Sequence, residues 1–205
     1  MLEVSSLECV RGDRRLFKGL NFSVEPGGML QVYGPNGSGK TSLLRMLCGL
    51  MAPADGEIRW KGKNIRSLGE EYLGVITYLG HLNGIKEELS ALENLRIGNA
   101  LAGEDASEEK ACDALERMGL GGRESLPAKV LSQGQRRRVA LARLFTCHTQ
   151  LWLLDEPLTA LDSAAVSSVE SLLEAHLSRG GMVVLTTHQS LNVAAPGGKR
   201  IELAA

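Results

Sequence analysis

Gly34-Pro35-Asn36-Gly37-Ser38-Gly39-Lys40-Thr41 is the stretch on which the reading of this chain turns. It fits the phosphate-loop pattern G-x-x-x-x-G-K-[ST] without a mismatch. The apolar run Met29-Leu30-Gln31-Val32-Tyr33 before it predicts a buried strand, and Ser42 to Leu47 after it predict a helix. The pattern carries chemistry in that strand–loop–helix order. Glycines let the backbone bend around an anion, so successive N–H groups and a helix N-terminus converge on phosphate oxygens. The candidate nucleotide contacts are Gly34, Pro35, Asn36, Gly37, Ser38, Gly39, Lys40, Thr41 and Ser42. Lys40 offers a point charge for the β- and γ-phosphates, and the Thr41 hydroxyl offers a ligand for Mg²⁺. The expected ligand is a nucleoside triphosphate.

Three further elements extend the pattern. Leu151-Trp152-Leu153-Leu154 predicts a buried strand that ends in Asp155 and Glu156. Such a strand end is where ligands bind in open α/β sheets. Asp155 suits an acid that holds Mg²⁺ through water, and Glu156 suits a base for the attacking water; the plain alternative is a strand ending at a surface turn. Ser132 and Gly134 open a predicted helix, a second anion site. Two such sites with one phosphate loop suggest a nucleotide shared between two subunits. The run Arg136-Arg137-Arg138 that follows reads as a solvated helix face with salt bridges. His188 follows the run Val183 to Thr187, where a ring N–H can reach a γ-phosphate; a lone histidine is more often structural, but the position behind a buried strand favours function here.

Composition excludes several classes. The 205 residues fit one domain of ordinary core size. A formal net charge of −1 argues against nucleic acid as the main partner. No stretch is apolar enough to predict a membrane span, and the acidic-apolar start Met1-Leu2-Glu3-Val4 does not read as a secretory signal, so a cytosolic location is expected. Cys9, Cys48, Cys112 and Cys147 form no C-x-x-C pair and read as small apolar fillers, with Cys147-His148 an incomplete ligand pair.

Along the chain, strands are predicted over 3–10, 16–24, 57–60, 73–79, 151–154, 182–185 and 199–203. Residues 88–148 read as helical. Ser90 is the expected N-cap of one helix, Asp105 with Glu108 the cap of a second, and Ser132 the start of a third. A helix is also expected from Ser163 to Arg179, ended by Gly180-Gly181. The alternation predicts an α/β core with a helical insertion.

The order of phosphate loop, Leu131-Ser132-Gln133-Gly134-Gln135, Asp155-Glu156, Leu161-Asp162 and His188 resembles ABC-transporter nucleotide-binding domains over essentially the whole chain. The resemblance implies an α/β ABC-type P-loop NTPase fold: a RecA-like core (about 1–80 and 149–205), an antiparallel β part and a helical subdomain (about 88–148). It implies that Ser132, Gln133, Gly134 and Gln135 form the signature that meets the partner copy's nucleotide, that Asp162 belongs to the D-loop, and that His188 is the switch histidine. Glu156, His188 and Lys40 are then the catalytic group, with ATP and Mg²⁺ as ligands. Gly80 to Lys86 and Thr186 to Asn192 are similar to segments of the CcmA family, ATPase subunits of cytochrome c maturation. That narrower likeness implies a homodimer on the cytoplasmic face of the bacterial inner membrane. Its implied partners are the membrane subunit CcmB, with CcmC and the haem chaperone CcmE. It implies a haem-transporting type of translocase that energises haem export or release of loaded CcmE, without binding haem or nucleic acid directly. An ABC ATPase for another cargo is the alternative; a non-transport ABC protein lacks its usual insertions here, and a nucleotide kinase lacks the signature.

Three positions depart from the ABC pattern. His81 stands where glutamine is usual; it either senses Mg²⁺ through water, with a titratable ring, or couples mechanically only. Gln133 replaces a usual glycine. Arg11 aligns with the adenine-stacking aromatic, and a guanidinium can stack on a base, which leaves selectivity over GTP open. Phe17, nearby, reads as core.

Overall fold

The computed structural model describes residues 1–188, 191–195 and 197–204. The sequence segment Thr186 to Asn192 therefore includes two positions, 189 and 190, outside the described residues.

Strands β1 (Leu2–Arg11) and β2 (Arg14–Val24) form a hairpin, and β4 (Asp55–Trp60) and β5 (Lys63–Asn64) extend it into an antiparallel sheet in the order β2-β1-β4-β5. The second sheet is parallel, in the order β6-β7-β8-β3-β9. Its strands are β3 (Met29–Tyr33), β6 (Ile76–Leu79), β7 (Leu151–Asp155), β8 (Met182–Thr186) and β9 (Lys199–Glu202). Helices α1 (Lys40–Leu47), α2 (Ile65–Leu68) and α3 (Glu70–Leu73) lie between β3 and β6 in the chain. Helices α4 (Ala91–Leu101), α5 (Glu108–Arg117) and α6 (Gln133–Thr146) follow β6, and α7 (Ser163–Ser178) joins β7 to β8.

The inner strands β3, β7 and β8 of the parallel sheet are buried on both faces, as their apolar runs require. Side chains alternate along each strand, so β7 feeds two cores. Leu151 and Leu153 pack with Leu43, Leu44 and Leu47 of α1 and with Leu2, Val4 and Ile58 of the antiparallel sheet. Trp152 and Leu154 pack on the other side with Leu141 and Leu144 of α6 and Val169 and Leu173 of α7. Helix α4 starts with a capping box in which Ser90 and Glu93 bond each other's backbone N–H.

Three expectations are corrected in detail. The strand predicted over 73–79 begins only at Ile76, because Leu73 ends α3. Helix α5 has Ser107, not Asp105, at its N-cap; Asp105 accepts from the Ser107 N–H and pairs with Lys110. Burial of Arg137 overturns the solvated reading at that residue, whereas the partly exposed Arg136 and Arg138 form the salt bridges expected of them.

At the opposite end of β7 from the acids, His176 stacks on Trp152 with ring centroids 3.7 Å apart. Burial pushes the His176 pKa down from 6.5 to about 4. Between those values the unfolded imidazole holds a proton that the folded one does not, so folding stability is intact above pH 6.5 and falls as pH drops toward 4. The loss should reach about 3 kcal/mol at most. Thermal melts from pH 7 to pH 4 should show His176→Phe markedly less acid-sensitive than the parent chain.

Candidate nucleotide-hydrolysis site

The phosphate loop joins β3 to α1, and its geometry demands glycine at two positions. Gly34 has φ +144°, and a Cβ there would lie 2.5 Å from the Leu203 carbonyl oxygen. Gly39, at φ +102°, is the N-cap of α1 and provides no side-chain cap. The first turn of α1 therefore presents N–H groups outward. Lys40 Nζ donates to the carbonyls of Gly34 at 2.8 Å and Pro35 at 3.2 Å, which folds the loop around its own cation. Ser38 Oγ is buried without a hydrogen-bond partner. A buried, unpartnered hydroxyl beside an uncapped helix start fits a phosphate oxygen.

A hydrogen-bonded relay leads from this loop to the acids. Thr41 Oγ1 donates to Asp155 Oδ2 at 2.8 Å, and Thr186 Oγ1 donates to Asp155 Oδ1 at 2.7 Å. The Glu156 N–H donates to Thr186 Oγ1 at 2.9 Å. Glu156 has φ +48°, a left-handed conformation that a side chain disfavours, and it turns the chain sharply out of β7. Its Oε1 lies 3.1 Å from His188 Nε2. Thr41, Asp155, Glu156 and His188 are thus brought together as the sequence pattern anticipated. Thr41 and Asp155 together provide the hard oxygen donors that suit Mg²⁺. Thr186 was not singled out; a polar residue closing an apolar strand was its only signal.

Arg137 was also missed. It is 4 % exposed, and all five of its N–H donors find acceptors. Nη2 donates to the carbonyls of Asp155 at 2.8 Å and Glu156 at 2.9 Å. Nη1 donates to the Gly80 carbonyl at 3.0 Å and Asn83 Oδ1 at 3.1 Å, and Nε donates to the Pro157 carbonyl at 3.3 Å. Burial pulls its pKa down, opposed by the charges of Asp155 and Glu156. The neighbouring arginines are occupied too: Arg136 pairs with Glu87, and Arg138 with Asp162. A sequence signal existed, since Arg137 precedes the buried Leu141 and Leu144 by four and seven residues, on one helix stripe.

Ser132 caps α6 in a box with Gln135: its Oγ accepts from the Gln135 N–H at 3.2 Å, and Gln135 Oε1 accepts from the Ser132 N–H at 2.9 Å. Gly134 is packed closely, since a Cβ there would lie 2.5 Å from the Ala160 carbonyl oxygen. Gln133 is exposed, so its side chain fits where Gly134 admits none. Asp162 caps α7 by accepting from the Ala165 N–H at 2.9 Å; that bond, with Arg138, holds its carboxyl below the usual range. His81 is exposed on a groove that Thr41 and Arg137 also line. Phe17, read as core, packs against the core and also lies against the loop: a Cβ added at Gly39 would lie 3.1 Å from its ring. Ser132, Gln133, His81 and Arg11 stand outside the relay; Arg11 is exposed at the end of β1.

A phosphate loop on a parallel sheet, an acid pair at the end of a strand two places away in the same sheet and a capped signature helix define an ATP-binding cassette. Residues 17–159 match the family described as ABC transporter. A cytochrome c biogenesis ATP-binding export protein CcmA from Nitrosospira multiformis is 65% identical over 202 residues, 98% of each chain. The solved dimeric structure of the bacterial ABC transporter cassette MJ0796 superposes with a TM-score of 0.84 and 26% identity, covering 100% of this chain and 94% of that one. A second structure of that cassette, in a post-hydrolysis state bound to ADP and Pi, gives 0.80 and 25%, covering 92% and 88%. The chain belongs to the ABC transporter family, among its CcmA members, and is an ABC-type ATPase.

Thr186→Val removes a donor to Asp155 and an acceptor for Glu156 while keeping shape. It should lower stability by about 1–3 kcal/mol in denaturant titration. ATP turnover should fall at least about tenfold, since Glu156 loses part of its anchorage. Thr186→Ser should retain most of both.

Proposed function

We propose that this chain is the ATP-hydrolysing subunit of an export complex in cytochrome c biogenesis. The observation that carries the hydrolytic part is the relay Thr41–Asp155–Thr186–Glu156–His188, which joins the phosphate loop to a held carboxylate. The cytochrome c assignment is supported by the name of the CcmA relative, a cytochrome c biogenesis ATP-binding export protein, which matches nearly the full chain.

In this reading residues 34–42 bind the phosphates of ATP, and Arg11 stacks on the base. Thr41 and Asp155 would hold Mg²⁺, with His81 reaching it through water; when bound, the ion neutralises phosphate charge. Glu156 takes a proton from the attacking water, and His188 donates a hydrogen bond to the γ-phosphate as charge shifts onto its oxygens. Two copies meet head to tail, so that Ser132, Gln133, Gly134 and Gln135 of one close over the nucleotide held by Lys40 of the other. The Asp162 segment lies at that interface. Residues of about 88–148 act as the helical subdomain, and closure around ATP moves it against the membrane partner. That partner is CcmB, with CcmC and CcmE in the same complex. The subunit lies peripherally on the cytoplasmic face of the inner membrane and drives haem export or release of haem-loaded CcmE without itself touching haem. Among the described residues no helix is long and apolar enough to cross a membrane, so a separate membrane subunit is required by this reading.

Glu156→Gln should bind ATP as tightly as the parent chain and accumulate ATP-bound dimers on size exclusion, with turnover lost. Loss of ATP binding instead would make Glu156 structural. Gentle extraction of the tagged chain from its native membranes should recover CcmB, CcmC and CcmE. A different membrane subunit would leave the ATPase reading standing and remove the haem assignment.

A further inference from the structure

The relay fixes Glu156 from its N–H side, through Thr186. On the carbonyl side Arg137 Nη2 donates to the Glu156 carbonyl at 2.9 Å and to the Asp155 carbonyl at 2.8 Å, beside a longer bond to the Glu156 carbonyl from the Thr159 N–H at 3.3 Å. A residue kept at φ +48° without being glycine carries a conformational cost of about 1–2 kcal/mol, which surrounding bonds must offset. Release of either end would leave that cost unopposed, so that the backbone would relax toward negative φ and the carboxylate would leave its place beside His188.

The same guanidinium spans to a second element. Nη1 holds Gly80 and Asn83, which flank the exposed His81 and the 85 % exposed Leu82. The guanidinium is planar and rigid. A shift of the 80–83 loop therefore tilts the whole group and moves the carbonyls bonded at Nη2. Saturation of all five donors makes the arrangement specific: an ammonium, with three donors on one atom, cannot span acceptors on two elements in this way.

We propose that Arg137 is a positioning residue for hydrolysis, a buried fork that holds Glu156 in its left-handed conformation and ties that conformation to the 80–83 loop. The proposal rests on the reading of Glu156 as the general base. It places Arg137 outside contact with the nucleotide, so its loss should change turnover and not ATP affinity.

The test uses the full chain in the membrane complex extracted with it. Arg137→Ala should lower kcat by about 100-fold and leave KM for ATP within about threefold of the parent. Guanidinium chloride at about 10 mM, with the parent chain measured alongside as the control, should restore at least about tenfold of the loss, because the free ion can refill the cavity and its acceptors. Arg137→Lys should stay close to Arg137→Ala. A kcat within about threefold of the parent, a loss that guanidinium does not restore, or a rise in KM equal to the loss in kcat would each overturn the proposal. Should Arg137→Ala not fold, Asn83→Ala removes only the loop-side bond. It should lower kcat about fivefold at unchanged KM, and an unchanged kcat would overturn the coupling. The two readings fail separately. Hydrolysis at the parent rate by Glu156→Gln removes the general base, whereas an inactive Glu156→Gln beside a fully active Arg137→Ala removes Arg137 alone.

Discussion

The hydrogen bond from Thr186 Oγ1 to Asp155 Oδ1 joins the ends of two adjacent parallel strands, and the site is arranged around it. Asp155 is 2 % exposed and Thr186 fully buried. A carboxylate in such a place is costly unless its oxygens are bonded. Here each oxygen has a hydroxyl donor, one from the phosphate loop and one from β8. The same Thr186 oxygen then accepts from the Glu156 N–H. One side chain thus satisfies the buried acid and fixes the first residue after the strand. Parallel pairing makes this possible, because it brings two strand ends to the same edge of the sheet.

The core supports that edge from both faces. Leu151 and Leu153 of β7 point toward α1, so the helix that starts at the phosphate loop is anchored on the strand that ends in the acids. Trp152 and Leu154 point toward α6 and α7, so the signature helix packs on the same strand from the other side. Helix α6 then returns its three arginines to three places: Glu87, the β7 end, and Asp162. Its N-terminal Gly134 sits against the Ala160 carbonyl. Of these contacts, the Arg137 guanidinium is the one that reaches the Glu156 carbonyl directly.

Much of the fold was legible because local rules and tertiary packing agree. The Leu151 to Leu154 run is apolar at every position, which suits a strand covered on both faces. Ser90 with Glu93 and Ser132 with Gln135 satisfy the capping-box rule, and both boxes form. Legibility failed where two local signals competed. Glu70 to Leu73 form one turn of helix immediately before β6, and the apolar residues of both read as a single strand. Asp105 lost the cap position to Ser107, because Asp105 bonds the Ser107 N–H in a turn of its own.

The sequence by itself determined the phosphate loop, the acid-terminated strand, the signature helix start and their order, because each is a local pattern whose residue types dictate backbone shape or charge. Tertiary structure alone decided which polar groups meet. Thr186 and Asp155 are thirty-one residues apart and become partners only through strand register. Arg136, Arg137 and Arg138 are chemically identical, but a helix turns about 100° per residue, so each faces a different neighbour. Only the docking of α6 on β7 sends Arg137 inward, with Arg136 and Arg138 paired to acids at either side.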